Sequence, residues 1–387
     1  MKRLSAHYLF DGINLIKFGV LEIDDDGTIL SVSKAADNLK EISGLSFYNG
    51  ILMPGMINMH CHLELSDLHK AIPENTGLSG FIAMVNNLKS INKAETKLKS
   101  IEKADNTMYV SGIASVADVC NSDISLNTKL KSNIYYHNFI ECIGIRKSDI
   151  FKKLTDCKLL LDKFNNAGLS TSLTPHAIYS LHPELFKTIL DLNNNIFSLH
   201  FFESNQEREL YNGVENSLLS FLNNIDYDYK IPDIGLSLSD LKNSMKNANM
   251  VLVHNVDLQE DICYSMYSSE NVFPCLCPNS NIFISDRIPD IDNLMKLSNN
   301  IVVGTDSLAS NHNLSLIAEL YSISKFYPDI PIVELLKWVS SNGAKALGLQ
   351  QKFGNFTIGT KPGVVLLSNI DLKKLSITPK TYSRRII

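Results

Sequence analysis

The sequence predicts an α/β chain, a (β/α)8 (TIM) barrel joined to a small β-sandwich domain that the N- and C-terminal segments build together. Three observations predict it. Eight apolar, strand-like runs alternate with longer polar or amphipathic stretches through the middle of the chain. Both ends are instead rich in short strands and tight turns. Histidines and carboxylates collect where the apolar runs stop, the side on which such barrels carry their chemistry.

The N-terminal end reads as a hairpin, with Val20-Leu21-Glu22-Ile23 turning through Asp24-Asp25-Asp26-Gly27 into Thr28-Ile29-Leu30-Ser31-Val32. The C-terminal end has the same texture, with Gly354, Gly359 and Pro362-Gly363 before the strand-like Val364-Val365-Leu366-Leu367. Two β-rich ends around a different middle predict one composite domain of residues 1–52 and 352–387, with the barrel over 53–351. The eight runs are 51–57, 110–119, 133–140, 168–174, 195–199, 250–253, 272–276 and 301–303. Continuous apolar runs mark strands buried on both faces, as in a parallel sheet covered by helices.

Hydrophobic types make up 44% of the 387 residues, enough for a large core, which excludes a disordered or fibrous chain. The net charge of −5 argues against a binder of nucleic acid. No apolar run approaches the roughly 20 residues that span a bilayer, so a cytoplasmic protein without a membrane partner is expected. The seven cysteines are scattered without a CxxC pair, which favours reduced thiols. Cys275 and Cys277 fall on one face of a strand and are read as core residues.

Read in order, the strand ends carry His60 and His62, Asp118, Glu141, His176, His200 with Glu203, His254, Asn279 with Asn281, and Asp306. Five of the ten histidines sit there. In His60-Cys61-His62 the period of a strand turns both imidazoles to one face, where two neutral nitrogens can converge on one metal ion. Three histidines and a carboxylate suit Zn2+ as the one divalent ion, with Fe2+ and Mn2+ as alternatives, and leave a position open for water.

The string PGMINMHCHLEL, the HxxE of His200 to Glu203, the lone His254 and GTDSLASN around Asp306 resemble the amidohydrolase superfamily. The likeness is to its S-adenosylhomocysteine deaminase and triazine chlorohydrolase branch, and the HLE after the histidine pair is nearest aminofutalosine deaminases. That resemblance implies a mononuclear deaminase with His60, His62, His200 and Asp306 as metal ligands. It further implies Glu203 as proton shuttle to a ring nitrogen and His254 as the hydrogen-bonding neighbour of the attacking hydroxide. Asp306 would take the proton from water, and ammonia would leave an aminated heterocycle, a 6-aminopurine nucleoside such as aminofutalosine, S-adenosylhomocysteine or methylthioadenosine. Binuclear members carry a carboxylated lysine at the end of strand four, where this chain has Thr174-Pro175-His176. Hydrolysis of another C–N or a C–Cl bond is the alternative, and an inactive metal-binding protein a third. The branch also implies a homodimer or homotetramer acting on a small-molecule substrate.

Four residues are candidates for holding substrate. His176 lies in a PHAxYS element like that of the deaminases, where the histidine contacts substrate. Glu64, on a strand-to-loop exit, is a candidate for binding ribose hydroxyls, a surface salt bridge being the other reading, and Glu141 is a candidate for facing the pocket. Arg146 follows strand three and offers a planar fork for a carboxylate, a solvated loop arginine being the other reading. The long stretch 63–81 contains Gly77-Leu78-Ser79-Gly80 and is a candidate binding loop.

Overall fold

The computed structural model describes residues 1–34, 43–192, 195–226, 229–244, 248–258 and 266–387. Five strands open the chain: β1 (Lys2–Phe10), β2 (Leu15–Lys17), β3 (Gly19–Ile23), β4 (Ile29–Lys34) and β5 (Leu45–Pro54). Eight follow in alternation with helices: β6 (Met56–Cys61), β7 (Ile113–Cys120), β8 (Tyr135–Cys142), β9 (Ser170–Pro175), β10 (Ile196–Phe201), β11 (Asn249–His254), β12 (Val272–Leu276) and β13 (Val302–Val303). The last two are β14 (Val364–Ser368) and β15 (Tyr382–Arg385).

The terminal strands form one seven-stranded sheet in the order β15-β14-β5-β1-β3-β4, with β2 on the far half of β1. Among the described residues this single sheet stands where a two-layer sandwich was expected. The reason lies in what covers it. One face gathers Leu4, Ala6, Leu21, Ile23, Leu52 and Leu366 with Phe356. The other sends Phe10, Ile51, Met53, Val365 and Leu367 into the large core shared with Ile101 and Met108 of the helix Ala94–Val110. Helices of the central fold thus take the place of a second sheet. Hairpin signals specify which strands pair, but not what lies against the sheet they make.

The expected first strand of the barrel, 51–57, is split between two sheets. Residues up to Pro54 pair with β14, and the chain then crosses at Gly55 into β6. A Cβ on Gly55 would lie 2.4 Å from the Pro362 carbonyl oxygen and 2.5 Å from Ala114 Cβ, so the crossing needs glycine. Both strands are buried there, which is why the apolar run shows no break.

β6 to β13 are all parallel and fall into two four-stranded sheets, β6-β7-β8-β9 and β10-β11-β12-β13. One set of side chains packs outward on helices; the other, including Ala117, Val119, Phe139, Val251, Phe273 and Cys275, pools into a core shared by both sheets. The ladders stop at two seams. At one, an isolated bridge joins Cys61 to Asp306, and the His60 carbonyl accepts the N–H groups of Thr305 and Asp306 at 3.0 Å each. At the other, Ala177 bridges His200, and the His176 carbonyl accepts the His200 N–H at 2.8 Å. Gly304 permits the first seam, since its Cβ would sit 2.6 Å from His60 Cβ. Among the described residues no helix is long and apolar enough to cross a membrane.

Candidate active site

Both seams open onto the C-terminal ends of the strands, and the predicted metal ligands meet there. The Nε2 atoms of His60 and His62 lie 3.1 Å apart, and those of His62 and His200 lie 3.2 Å apart. Asp306 Oδ1 stands 3.7 Å from both His60 Nε2 and His62 Nε2. Ligands of a tetrahedral ion with metal–nitrogen bonds near 2.0–2.1 Å are about 3.3 Å apart, so this spacing suits a shared ion. His200 is oriented by its Nδ1, which meets the His176 carbonyl oxygen at 3.0 Å and leaves Nε2 for the centre. Burial and the neighbouring imidazoles hold His60 and His200 well below the ordinary histidine pKa, so both offer neutral nitrogen lone pairs. The donor set fits one divalent ion of the zinc type.

Asp306 is aimed by three donors. Ser280 Oγ (2.6 Å) and Ser310 Oγ (2.9 Å) donate to Oδ2, and the Ser307 N–H (2.7 Å) to Oδ1. Burial pushes its pKa up, but His62, His254 and the Ser280 hydroxyl outweigh this and hold the carboxyl below the usual aspartate range. His254 and Asp306 both adopt left-handed backbone, φ 79° and 56°. For residues with a Cβ this costs roughly 1–2 kcal/mol each, strain of the kind that gathers at functional sites.

Glu203 and His254 complete the cluster. Glu203 Oε1 is 3.6 Å from His254 Nε2, and Glu203 is 6% exposed. Burial, then the charges of Asp306 and Glu207, push its carboxyl well above the ordinary glutamate range. The backbone N–H of Glu203 is held by Glu207 Oε2 at 2.9 Å. His254 Nδ1 meets the Asn281 side-chain amide at 3.0 Å, while Nε2 is buried without a hydrogen-bond partner. Burial takes the His254 pKa down to about 4.

The substrate candidates divide. His176 lies beside His200, with ring centroids 4.5 Å apart and the rings tilted by 34°, and Ser180 Oγ anchors its Nδ1 at 2.8 Å. Glu141 has Oε2 held by Asn121 Nδ2 at 3.0 Å and leaves Oε1 buried and without a hydrogen bond, 3.7 Å from His200 Nδ1. Glu64 instead turns its carboxylate to the backbone N–H groups of Asn121 (3.3 Å) and Ser122 (3.2 Å). Arg146 is not brought to the cluster. Half-exposed, it donates from Nη2 to the Ile225 carbonyl at 2.6 Å and pairs with Asp226 at 3.6 Å. The stretch 63–81 is ordered into a short helix, Leu63–Leu68, and the start of another, Gly77–Leu88.

Residues 51–381 match the family model described as Amidohydrolase family. The chain belongs to the amidohydrolase family. An adenosine deaminase of Helicobacter pylori is 28% identical over 317 residues, which are 78% of this chain and 76% of that protein. The solved structure of Helicobacter pylori aminofutalosine deaminase with methylthio-coformycin superposes with a TM-score of 0.80 at 22% identity, covering 95% of this chain and 92% of that one. The zinc-bound atrazine chlorohydrolase TrzN of Arthrobacter aurescens gives 0.73 at 15% identity, covering 97% and 90%.

Several residues that shape this amidohydrolase site were not singled out from sequence. Ser280 and Ser310 carry no signal of their own. Glu207 was visible in principle, since Ser204 to Glu207 has the spacing of a helix-capping box. Glu319 is fully buried and accepts hydrogen bonds from the backbone and side chain of Asn279 and from Asn311. Burial nevertheless pushes its pKa up to about 8. A carboxyl raised in the folded state binds its proton more tightly there than when unfolded, so stability falls as pH rises from about 4.5 to 8. This one group accounts for up to about 4 kcal/mol of that fall. Glu319→Gln should therefore flatten the decline in chemical-denaturation stability between pH 5 and 8, and an unchanged slope would refute the assignment.

Proposed function

We propose that this chain is a deaminase of purine nucleosides, releasing ammonia from a 6-amino group. The observation that carries this reading is the buried, readily protonated carboxyl of Glu203 beside three convergent imidazoles. Attack on a ring amidine is difficult until its ring nitrogen is protonated, and a carboxyl whose burial favours the protonated form can supply that proton. His60, His62, His200 and Asp306 would hold a divalent ion, which would lower the pKa of bound water toward 7 and so supply a nucleophile at neutral pH. Asp306 Oδ1 faces that position and accepts the proton of the attacking water, its Oδ2 being occupied by the two serine hydroxyls. His254 Nδ1 accepts from Asn281 Nδ2, so Nε2, which has no hydrogen-bond partner, donates a hydrogen bond to the incoming oxygen while standing 3.6 Å from Glu203 Oε1. Glu203, having given its own proton to the ring nitrogen, takes the proton of the new C–OH group and passes it to the amino group, so that the C–N bond breaks and ammonia leaves, and the proton held by Asp306 restores Glu203. Glu141 Oε1 and the ring of His176 line the approach and are assigned to hold substrate.

Relatives named as deaminases of adenosine-type nucleosides support the reaction class. We read aminofutalosine, S-adenosylhomocysteine and methylthioadenosine as the first substrates to test, Zn2+ as the ion, and the two parallel sheets as halves of one closed barrel. Ammonia release should be measured for the zinc-loaded protein across these nucleosides. Activity on at least one is expected; silence across the panel with turnover of formimino or chlorinated heterocycles would replace deamination by hydrolysis of another bond.

A further inference from the structure

The chemistry proposed above uses neither Asp118 nor Lys129, yet the two make a fully buried ion pair, Nζ to Oδ2 2.5 Å. Such pairs contribute little net stability, because desolvation offsets the attraction, so this one calls for a local explanation. Lys129 is tightly held, with Nζ 2.8 Å from Asn138 Oδ1 and 3.0 Å from Cys120 Sγ. Its charge also lies 5.2 Å from the centre of the Tyr136 ring and 5.4 Å from that of Phe164. Thus anchored through Oδ2, Asp118 presents Oδ1 to the backbone N–H of Leu63 at 2.8 Å.

Leu63 directly follows His62, and this is where regular pairing fails. The β6–β7 register shifts between Asn58 and Cys61, so the ladder is interrupted at the histidine pair itself. Side-chain ties stand in for it. Asp118 reaches from β7 to Leu63, and Glu64 reaches back from the β6 exit to the N–H groups of Asn121 and Ser122 just past β7. We propose that Asp118, anchored by Lys129, is a positioning residue that fixes the strand exit bearing His60 and His62 and so sets affinity for the metal ion. This rests on the reading of His60, His62 and His200 as ligands.

The test measures Zn2+ affinity by chelator competition and the visible spectrum of the Co2+-loaded protein, in wild type and two double variants. Asp118→Ala with Lys129→Met removes the acceptor without leaving a buried lysine unpaired. Asp118→Asn with Lys129→Met keeps an oxygen for the Leu63 N–H but neither charge. The alanine pair should bind Zn2+ about 10–100-fold more weakly and change the Co2+ spectrum, and the asparagine pair should come within about threefold of wild type. Wild-type affinity in the alanine pair, or equal loss in the asparagine pair, overturns the proposal. If the alanine pair does not fold, hydrogen exchange at the Leu63 amide of metal-free wild type decides. Slow exchange supports the tie, and exchange at the rate of an unstructured peptide overturns it. Wild type that takes up neither ion defeats the ligand reading as well, a result seen without any variant.

Discussion

Glu203→Gln keeps its metal and loses turnover by about 10²–10⁴-fold, the usual worth of a positioned general acid. The side chain is almost the same size, and Glu207 holds the Glu203 backbone N–H in either variant, so the geometry survives. What disappears is the proton. At 6% exposure, with Asp306 and Glu207 adding negative charge, the native carboxyl holds a proton at pH values where an exposed glutamate has lost it. An amide cannot release one. Metal content and kcat for ammonia release, measured on the same preparation, check this. A Gln variant with full metal and undiminished kcat would remove Glu203 from proton transfer.

Stripping the metal with a chelator abolishes turnover, and Zn2+ restores it in wild type but not in His200→Ala. His200 is the ligand to choose because it stands alone on its strand, whereas His60 and His62 share one. Its loss leaves His62 Nε2 without the neighbour 3.2 Å away. Binding that favours the folded state stabilises it by about 2.7 kcal/mol at a hundredfold excess over Kd. The Tm of wild type should therefore rise on adding Zn2+ and that of His200→Ala should stay flat. Full activity in the stripped wild type would end the metal reading.

Much of this was legible in the residue order, and the reasons are physical. A parallel strand buried on both faces leaves a continuous apolar run, so the strands from 110 to 303 could be placed within a few residues. Chemistry at strand ends made His60, His62, His200, Glu203, His254 and Asp306 stand out, and the structure brings them together. The Pro54-Gly55 crossing was hidden because burial looks the same on both sides of it. Arg146 failed as a pocket residue because a loop side chain's direction depends on neighbours distant in sequence, here Ile225 and Asp226. Lys129 was one lysine among many, and nothing local marks it as the one that turns inward. Ser280, Ser310 and Glu319 act through contacts that exist only once the helix after β12 meets the turn and helix after β13.

The two seams have a consequence for how the molecule holds together. His60 lies in β6 and His62 just past it, at the edge of one sheet, while His200 lies in β10 and Asp306 just past β13, at the two edges of the other. Hydrogen-bonded ladders join strands within each sheet, while an isolated bridge marks each boundary. An ion shared by these four side chains would therefore be a cross-link between two half-domains, placed where the backbone lattice is thinnest. Cofactor and catalyst would then also be a rivet, and loss of the ion would loosen the boundaries before it disturbed either half.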